Sequence, residues 1–253
     1  MKLTKLALAL SALSFCQMAG AAVSVSETAA PWTPFLAIGG GISDAINLGT
    51  SNKFPASSSS LEYYNYSAGL QSQTRGLLEV FAGIERPLSP QWLWQVGGAY
   101  TQSGQFHPQG TLTQGADISS ENNYDYELTL VTRQIMLQTK LMRILHNHFY
   151  PYILFGLGAA VNTASNYTSN APNSLTFTRQ YADQTSLSLA YRIGFGMDMD
   201  LAKNLRLGIA YRIADLGGFR TGQATINHNA VHGTLSQQAL YASEVSAQLT
   251  FLI

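Results

Sequence analysis

Two pairs of residues in this sequence, His232 with Ser236 and His107 with Ser103, have the types of a nucleophile and its base. That chemistry needs the imidazole within hydrogen-bond reach of the hydroxyl and a third group to orient it. Both pairs sit in polar, irregular stretches whose spacing does not bring them together. His146 and His148, on either side of Asn147, and His228 with His232 offer metal donors. A protein zinc site takes three or four ligands, oriented by further partners. No cysteine or acidic set accompanies either pair, so no metal or other cofactor is expected. Gly39, Gly40 and Gly41 lack the following helix and the Lys-Ser/Thr of a phosphate loop. Asp198 and Asp200 could share acid–base work. Their place beside a tight turn instead suggests one carboxylate facing an enclosed interior and one capping the turn. The chain reads as no enzyme.

What must position these residues is a set of strands. From Thr185 to Met199 apolar and polar residues alternate: Leu187, Leu189, Tyr191, Ile193, Phe195, Met197 and Met199 against Ser186, Ser188, Ala190, Arg192, Gly194, Gly196 and Asp198. Successive side chains of a strand point to opposite faces, so this run has one greasy face and one polar or small face. Leu205 to Ala214 and Tyr241 to Ile253 repeat the pattern. Thr33–Ser43, Arg75–Glu85 and Trp92–Ser103 follow it less cleanly, and Tyr150–Thr163 is ambiguous in parity. In Tyr124–Leu145 the greasy parity switches, from Tyr126, Leu128 and Leu130 to Ile135, Leu137 and Leu141. A bulge, or a strand that begins above a membrane, would do this. Eight strands result.

The connections alternate in length. Pro87–Gln91, His146–Phe149 and Asp200–Asn204 are tight, whereas Asp44–Thr74, Gly104–Asn123, Ala164–Gln184 and Asp215–Gln238 are long and polar, with a serine run at Pro55–Ser60. Short turns on one side and long loops on the other are the layout of a transmembrane barrel, and an even strand number puts both termini on the short-turn, periplasmic side. The expected fold is therefore all-β, an eight-stranded antiparallel up-and-down transmembrane β-barrel. Residues 1–22 read as a cleaved signal peptide: Lys2 and Lys5, the apolar stretch Leu6–Phe15, then Ala19-Gly20-Ala21. Phe15 before Cys16 speaks against a lipoprotein signal. Residues 23–253 would form one barrel domain without cysteine, hence without disulfides.

Composition fits. Hydrophobic residues make up 46% and charged ones only 11%, with 13 Tyr, against roughly 25% charged in soluble domains. Without Lys2 and Lys5, twelve basic residues face fourteen acidic ones. That excludes the basic stripe of a nucleic-acid binder. Trp92, Trp94, Tyr150 and Tyr152 beside the short turns, and Tyr100, Tyr124, Tyr126 and Tyr241 near the long loops, suit interfacial girdles.

The stretch Tyr150 to Ala160 (YPYILFGLGAA), followed by Tyr191 to Arg212 (YRIGFGMDMDLAKNLRLGIAYR), resembles the outer membrane protein A and opacity-protein class of eight-stranded barrels. The layout of the whole mature chain fits that class, and the motifs fit its second half. Barrels of the class often end in Phe, whereas this chain ends Phe251-Leu252-Ile253. The resemblance implies the bacterial outer membrane, with lipid and lipopolysaccharide as surroundings, the barrel-assembly machinery as a partner in biogenesis, and an extracellular or host surface as a further partner. The peptidoglycan-binding domain of outer membrane protein A has no counterpart here.

In a barrel the polar faces turn inward, and small residues fit a narrow interior. Many of Arg75, Glu79, Glu127, Arg133, Lys140, Arg192, Asp198, Arg206, Arg212 and Glu244 are expected to pair across the lumen, since an isolated charge there costs several kcal/mol on the order of magnitude. The core of this network is Arg75, Glu79, Arg133, Arg192, Asp198, Arg206, Arg212 and Glu244. Tyr63, Tyr64 and Tyr66 in the first loop are candidate contact residues, because tyrosine gives a large contact area at low entropic cost. The function read from these features is a non-enzymatic surface barrel that supports the envelope or makes contacts through its loops. The alternatives are a small pore, a lipid A-modifying barrel enzyme and a soluble periplasmic sandwich.

Overall fold

The structure, a computed structural model, describes residues 32–46, 48–55, 63–69, 72–115, 122–146, 148–170 and 179–253. The expected signal segment and most of the serine run lie outside the described residues. Eight long antiparallel strands run in chain order: β1 Thr33–Ile46, β2 Gln73–Ser89, β3 Trp92–Ser103, β4 Asn122–Arg143, β5 Phe149–Ser169, β6 Gln184–Ala202, β7 Leu205–Asp215 and β8 Tyr241–Leu252. Each pairs with the next, and β8 pairs with β1 from Phe35↔Leu252 to Ile46↔Tyr241, which closes the ring. No strand edge of the ring is left for hydrocarbon, which cannot satisfy it.

Alternation decides which way each side chain points. Leu187 and Leu189 are 74% and 70% exposed on the outside, while Arg192 and Arg212 are 0% and 1% exposed within. This inside-out arrangement belongs to a barrel in lipid. Tight curvature explains the inward glycines. A Cβ on Gly41 would stand 2.0 Å from the Val245 carbonyl oxygen, and one on Gly83 would stand 2.1 Å from that of Val96. Pro87 cannot donate to the ladder, and it lies where the β2–β3 register slips between Pro87 and Ser89.

The strands are longer than a membrane needs. β4 has 22 residues and β5 has 21, whereas about 9–11 tilted residues cross the hydrocarbon. The excess rises on the long-loop side. There the described parts of the loops form further sheet. Gln109–Gly115 pairs with the upper part of β4, Tyr63–Ala68 pairs with Gln109–Gly115, and Asn52–Pro55 pairs with Tyr63–Ala68. Ala224–Ile226 pairs with Asn229–Val231 and with Gln180–Tyr181.

β4 explains its own change of pattern. Its even-numbered residues from Tyr124 to Met142 all point inward. The inside of the barrel is apolar at the outer end, with Tyr126, Leu128 and Leu130, and mostly polar lower down, where Thr132, Gln134, Gln138 and Lys140 are interspersed with Met136 and Met142. The greasy parity switches because the interior changes character, and the strand does begin above the membrane band. A register shift against β5 lies between Glu127 and Thr129, with Asn166 at φ 53°.

The girdle assignment needs correction for four tyrosines. Tyr150 and Tyr152 face the periplasmic mouth of the lumen with Leu93, Met142, Leu154 and Ala210, because Ile153 and Phe155 take the lipid side. Tyr124 and Tyr126 are buried in the outer core. Tyr100 and Tyr241 stay on the outside.

Ile193 stands midway along the outward row Leu187–Met197. Ile193→Arg is expected to lower folding free energy in lipid vesicles by about 2–4 kcal/mol, read from denaturant midpoints. Gln223→Arg, in the exposed outer region, should stay within about 0.5 kcal/mol. Equal midpoints would show that the row does not meet lipid.

Candidate functional site

The lumen is crossed by three tiers of charge. Glu79 on β2 takes hydrogen bonds from Arg192 on β6 and, at 2.5 Å, from Arg212 on β7. Thr101 on β3 donates to the same carboxylate at 3.1 Å, and Arg192 also reaches Thr101 and Gln134. Glu244 on β8 lies 3.1 Å from Arg212 Nε. In the middle tier Lys140 on β4 faces Asp198 at 3.5 Å and stands 4.3 Å from the centre of the Tyr152 ring. In the lowest tier Arg206 on β7 bridges Glu85 at 2.5 Å and Asp200 at 2.9 Å. Gln95 donates to Glu85, and the Tyr150 hydroxyl donates to Asp200. Four cations thus meet five carboxylates, each tied to a different strand from its partner.

Six of the eight residues expected in this network, Glu79, Arg192, Asp198, Arg206, Arg212 and Glu244, sit in these tiers. Two do not. Arg133 is exposed on the outward face of β4, sharing parity with Ile135 and Leu137. Arg75 lies at the outer rim, where its Nε donates to the Gln105 carbonyl at 2.5 Å. Glu127 is outside as well, 3.0 Å from His107 Nδ1. Glu85, Lys140 and Asp200 complete the tiers. Asp200 borders its turn as expected, yet its oxygens are taken by Arg206 and Tyr150 rather than by turn amides. Glu85 shares the parity of Glu79, a signal readable in the sequence.

Above the charges lies an aromatic core. Tyr66 meets the rings of Phe54, Tyr126 and Tyr181 edge-on at centroid distances of 6.0, 5.3 and 5.9 Å. Tyr167 meets Tyr181 at 4.9 Å. The Tyr126 hydroxyl donates to the Thr50 carbonyl at 3.0 Å, fixing the first loop to β4. Burial pushes the phenols of Tyr66, Tyr167 and Tyr181 above their ordinary range, so they stay neutral. Of the candidate contact residues, Tyr64 and Tyr66 are therefore interior. Tyr63 is half-buried, with Lys53 4.2 Å from its ring centre. Arg179, itself buried, donates to the His232 carbonyl at 2.6 Å and to the Pro55 carbonyl at 3.0 Å, and stacks over Phe54 and Tyr64. It clamps the first, third and fourth loops together.

Neither serine–histidine pair assembles. His107 is engaged with Glu127 while the Ser103 hydroxyl donates to the Thr132 carbonyl. His232 is exposed and holds Arg179 through its carbonyl, while the Ser236 amide donates to Asn52 Oδ1. Among the described residues no three His, Cys, Asp or Glu side chains cluster as a metal site would require.

A family model described as "Outer membrane protein beta-barrel domain" matches residues 7–236. The chain belongs to this family. It is a bacterial outer-membrane barrel, and its exposed apolar belt faces lipid. Among solved structures, the outer membrane protein OprG from Pseudomonas aeruginosa is similar at 17% identity over 87% of this chain and 96% of that one, with a TM-score of 0.53. That likeness shows the fold. Neisserial surface protein A is similar at 13% identity over 87% and 97% of the two chains, TM-score 0.40. The outer membrane protease OmpT from Escherichia coli is similar at 9% identity over 92% and 99%, TM-score 0.42. No curated protein matches the chain in a sequence comparison.

In this barrel, buried cations and carboxylates that neutralise one another across the bore act as crossbraces. Removing one partner strands the other in the buried interior. Glu79→Gln should lower stability by about 3–5 kcal/mol, measured by denaturant unfolding in vesicles. Glu79→Gln combined with Arg192→Gln should recover part of the loss. An unchanged midpoint for the single variant would remove Glu79 from the centre of the network.

Proposed function

We infer that the protein is a closed, non-enzymatic surface barrel that presents an ordered outer platform for contact with a partner. The observation that carries this reading is the filling of the lumen. Arg192, Arg212, Lys140, Gln95 and Gln138 are essentially inaccessible, and they come from β3, β4, β6 and β7, so the crossbraces reach across the bore. An eight-stranded barrel is narrow enough for side chains to fill it. The outer platform supports the contact half of the reading. Its loops are tied by backbone pairing, by the Tyr66 cluster and by Arg179, so a binding surface would be preorganised and lose little entropy on contact.

A cleft of about 470 Å³ opens on this platform, lined by Gln109, Thr111, Asp125, Glu127, Thr168 and Asn170 among others. Amides, hydroxyls and carboxylates there suit a hydroxyl-rich partner. Nothing in the serine–histidine geometry supports a lipid A-modifying activity.

Planar bilayers containing the protein should show no resolved single-channel steps at physiological salt. Lipid A from cells expressing it should keep its mass. Regular steps would move the reading to a pore, and a mass change would move it to an enzyme. Arg179→Ala should make the outer loops on intact cells about tenfold more sensitive to added protease, because charge-assisted hydrogen bonds are worth about 1.5–3 kcal/mol, with the barrel strands still protected.

A further inference from the structure

All three tryptophans of the chain gather on one arc of the periplasmic rim. Trp32 precedes β1, and Trp92 and Trp94 open β3. Trp32 and Trp94 lie 6.2 Å apart between ring centres. Two arginines complete the arc. Arg86 on β2 is opposite Trp94 in register and stands 5.2 Å from the centre of the Trp32 ring. Arg143 on β4 is opposite Trp92.

Arg143 is exposed and Arg86 half-exposed, and among the described residues neither makes an ion pair. The nearest acid in sequence, Glu85, points inward and is held by Arg206 and Gln95. Trp32 and Trp92 are 45% and 39% exposed, whereas the Trp94 indole N–H is used on Thr139 Oγ1 at 2.6 Å. On β5 to β8 the same rim carries Phe149, Leu201 and Phe251, with Lys203 in the turn. The arc is therefore one-sided, unlike an even girdle.

Position fixes what it can meet. Arg86 follows Ile84, and Arg143 follows Leu141, each two residues beyond the apolar belt, so about 7 Å further along the strand. This is head-group depth in the periplasmic leaflet, which is made of phospholipid. The two arginines are two strands apart and one alternate residue out of line, roughly 12 Å between Cα atoms, a span within reach of two long side chains, with Arg86 resting over the Trp32 ring. Guanidinium groups bind phosphate oxygens well, and indoles prefer the boundary between acyl chain and head group.

We propose that this arc is a binding site for the head group of an anionic phospholipid in the periplasmic leaflet. Arg86 and Arg143 hold its phosphate, while Trp32 and Trp92 lie along its glycerol and upper acyl chains. The site owes nothing to the outer platform and stands whether or not the lumen conducts.

Because every tryptophan belongs to the arc, fluorescence excited selectively through tryptophan, at wavelengths where the tyrosines do not absorb, reports the site alone. The protein is folded into phosphatidylcholine vesicles containing a minor fraction of phosphatidylglycerol. Bromine is carried either on the phosphatidylglycerol or on the same mole fraction of phosphatidylcholine. Brominated phosphatidylglycerol should quench more strongly, as expected for an enrichment on the order of tenfold beside the two cations. The excess should vanish in Arg86→Gln/Arg143→Gln and persist in Arg133→Gln, the folding of each variant being checked by heat-modifiability on a gel. Equal quenching by the two lipids in the unmodified protein would overturn the proposal without any variant. So would an excess that survives loss of both arginines. Equal quenching together with capture of a periplasmic protein would reassign the arc to a protein partner.

Discussion

A strand immersed in hydrocarbon can satisfy its N–H and C=O groups only on another strand. From that constraint the rest of this molecule follows. The ring from β1 to β8 must close, as the Phe35↔Leu252 to Ile46↔Tyr241 ladder does. Closing eight strands makes the bore narrow, and narrowness calls for glycine where Gly41 and Gly83 approach the next strand. Once the outside is given to lipid, every inward ionisable group must find its counter-charge across the bore. Glu79 serving both Arg192 and Arg212 is the result.

The interior is divided in two by depth. Within the membrane band it is polar and crossbraced. Above the band it becomes an aromatic core around Tyr66 and Tyr126, roofed by loops that have themselves become sheet. Both halves use the same inward positions of β4, so one strand carries two kinds of core. Hydrophobic burial stabilises the outer half, where there is no lipid to meet an apolar side chain. In the lower half most apolar side chains belong outside, and ion pairs stabilise what faces in together with small apolar clusters such as Phe35 with Phe81 and Leu93 with Met142.

Much of this was legible in the residues. Where one parity was apolar and the other small or charged, as in Leu187–Met197 or Leu205–Ile213, period-two reading placed both faces correctly. It failed where both parities were greasy. Tyr150 and Tyr152 alternate with Ile153 and Phe155, and nothing local says which pair meets lipid. Arg133 shows another limit, because an arginine at the rim can face outward as readily as inward. Tyr64 and Tyr66 looked like surface residues because the first loop is polar. Their burial depends on Phe54, Tyr126, Tyr167 and Tyr181, brought in from four other segments, and such assembly leaves no mark in local spacing. Asp200 read as a turn residue because its partner Arg206 lies on the far side of that same turn.

The unbroken run of β4 has a mechanical meaning. Its pairing runs from the turn at Arg143 to the outer sheet at Tyr124: with β3 as far as Arg133, with Gln109–Gly115 above that, and with β5 along most of its length, with one register shift between Glu127 and Thr129. A tug on the outer tip pulls along the strand direction, so the hydrogen bonds are loaded together in shear rather than peeled one after another. A cell tethered through this tip would be held by a stiff rod rooted in the envelope.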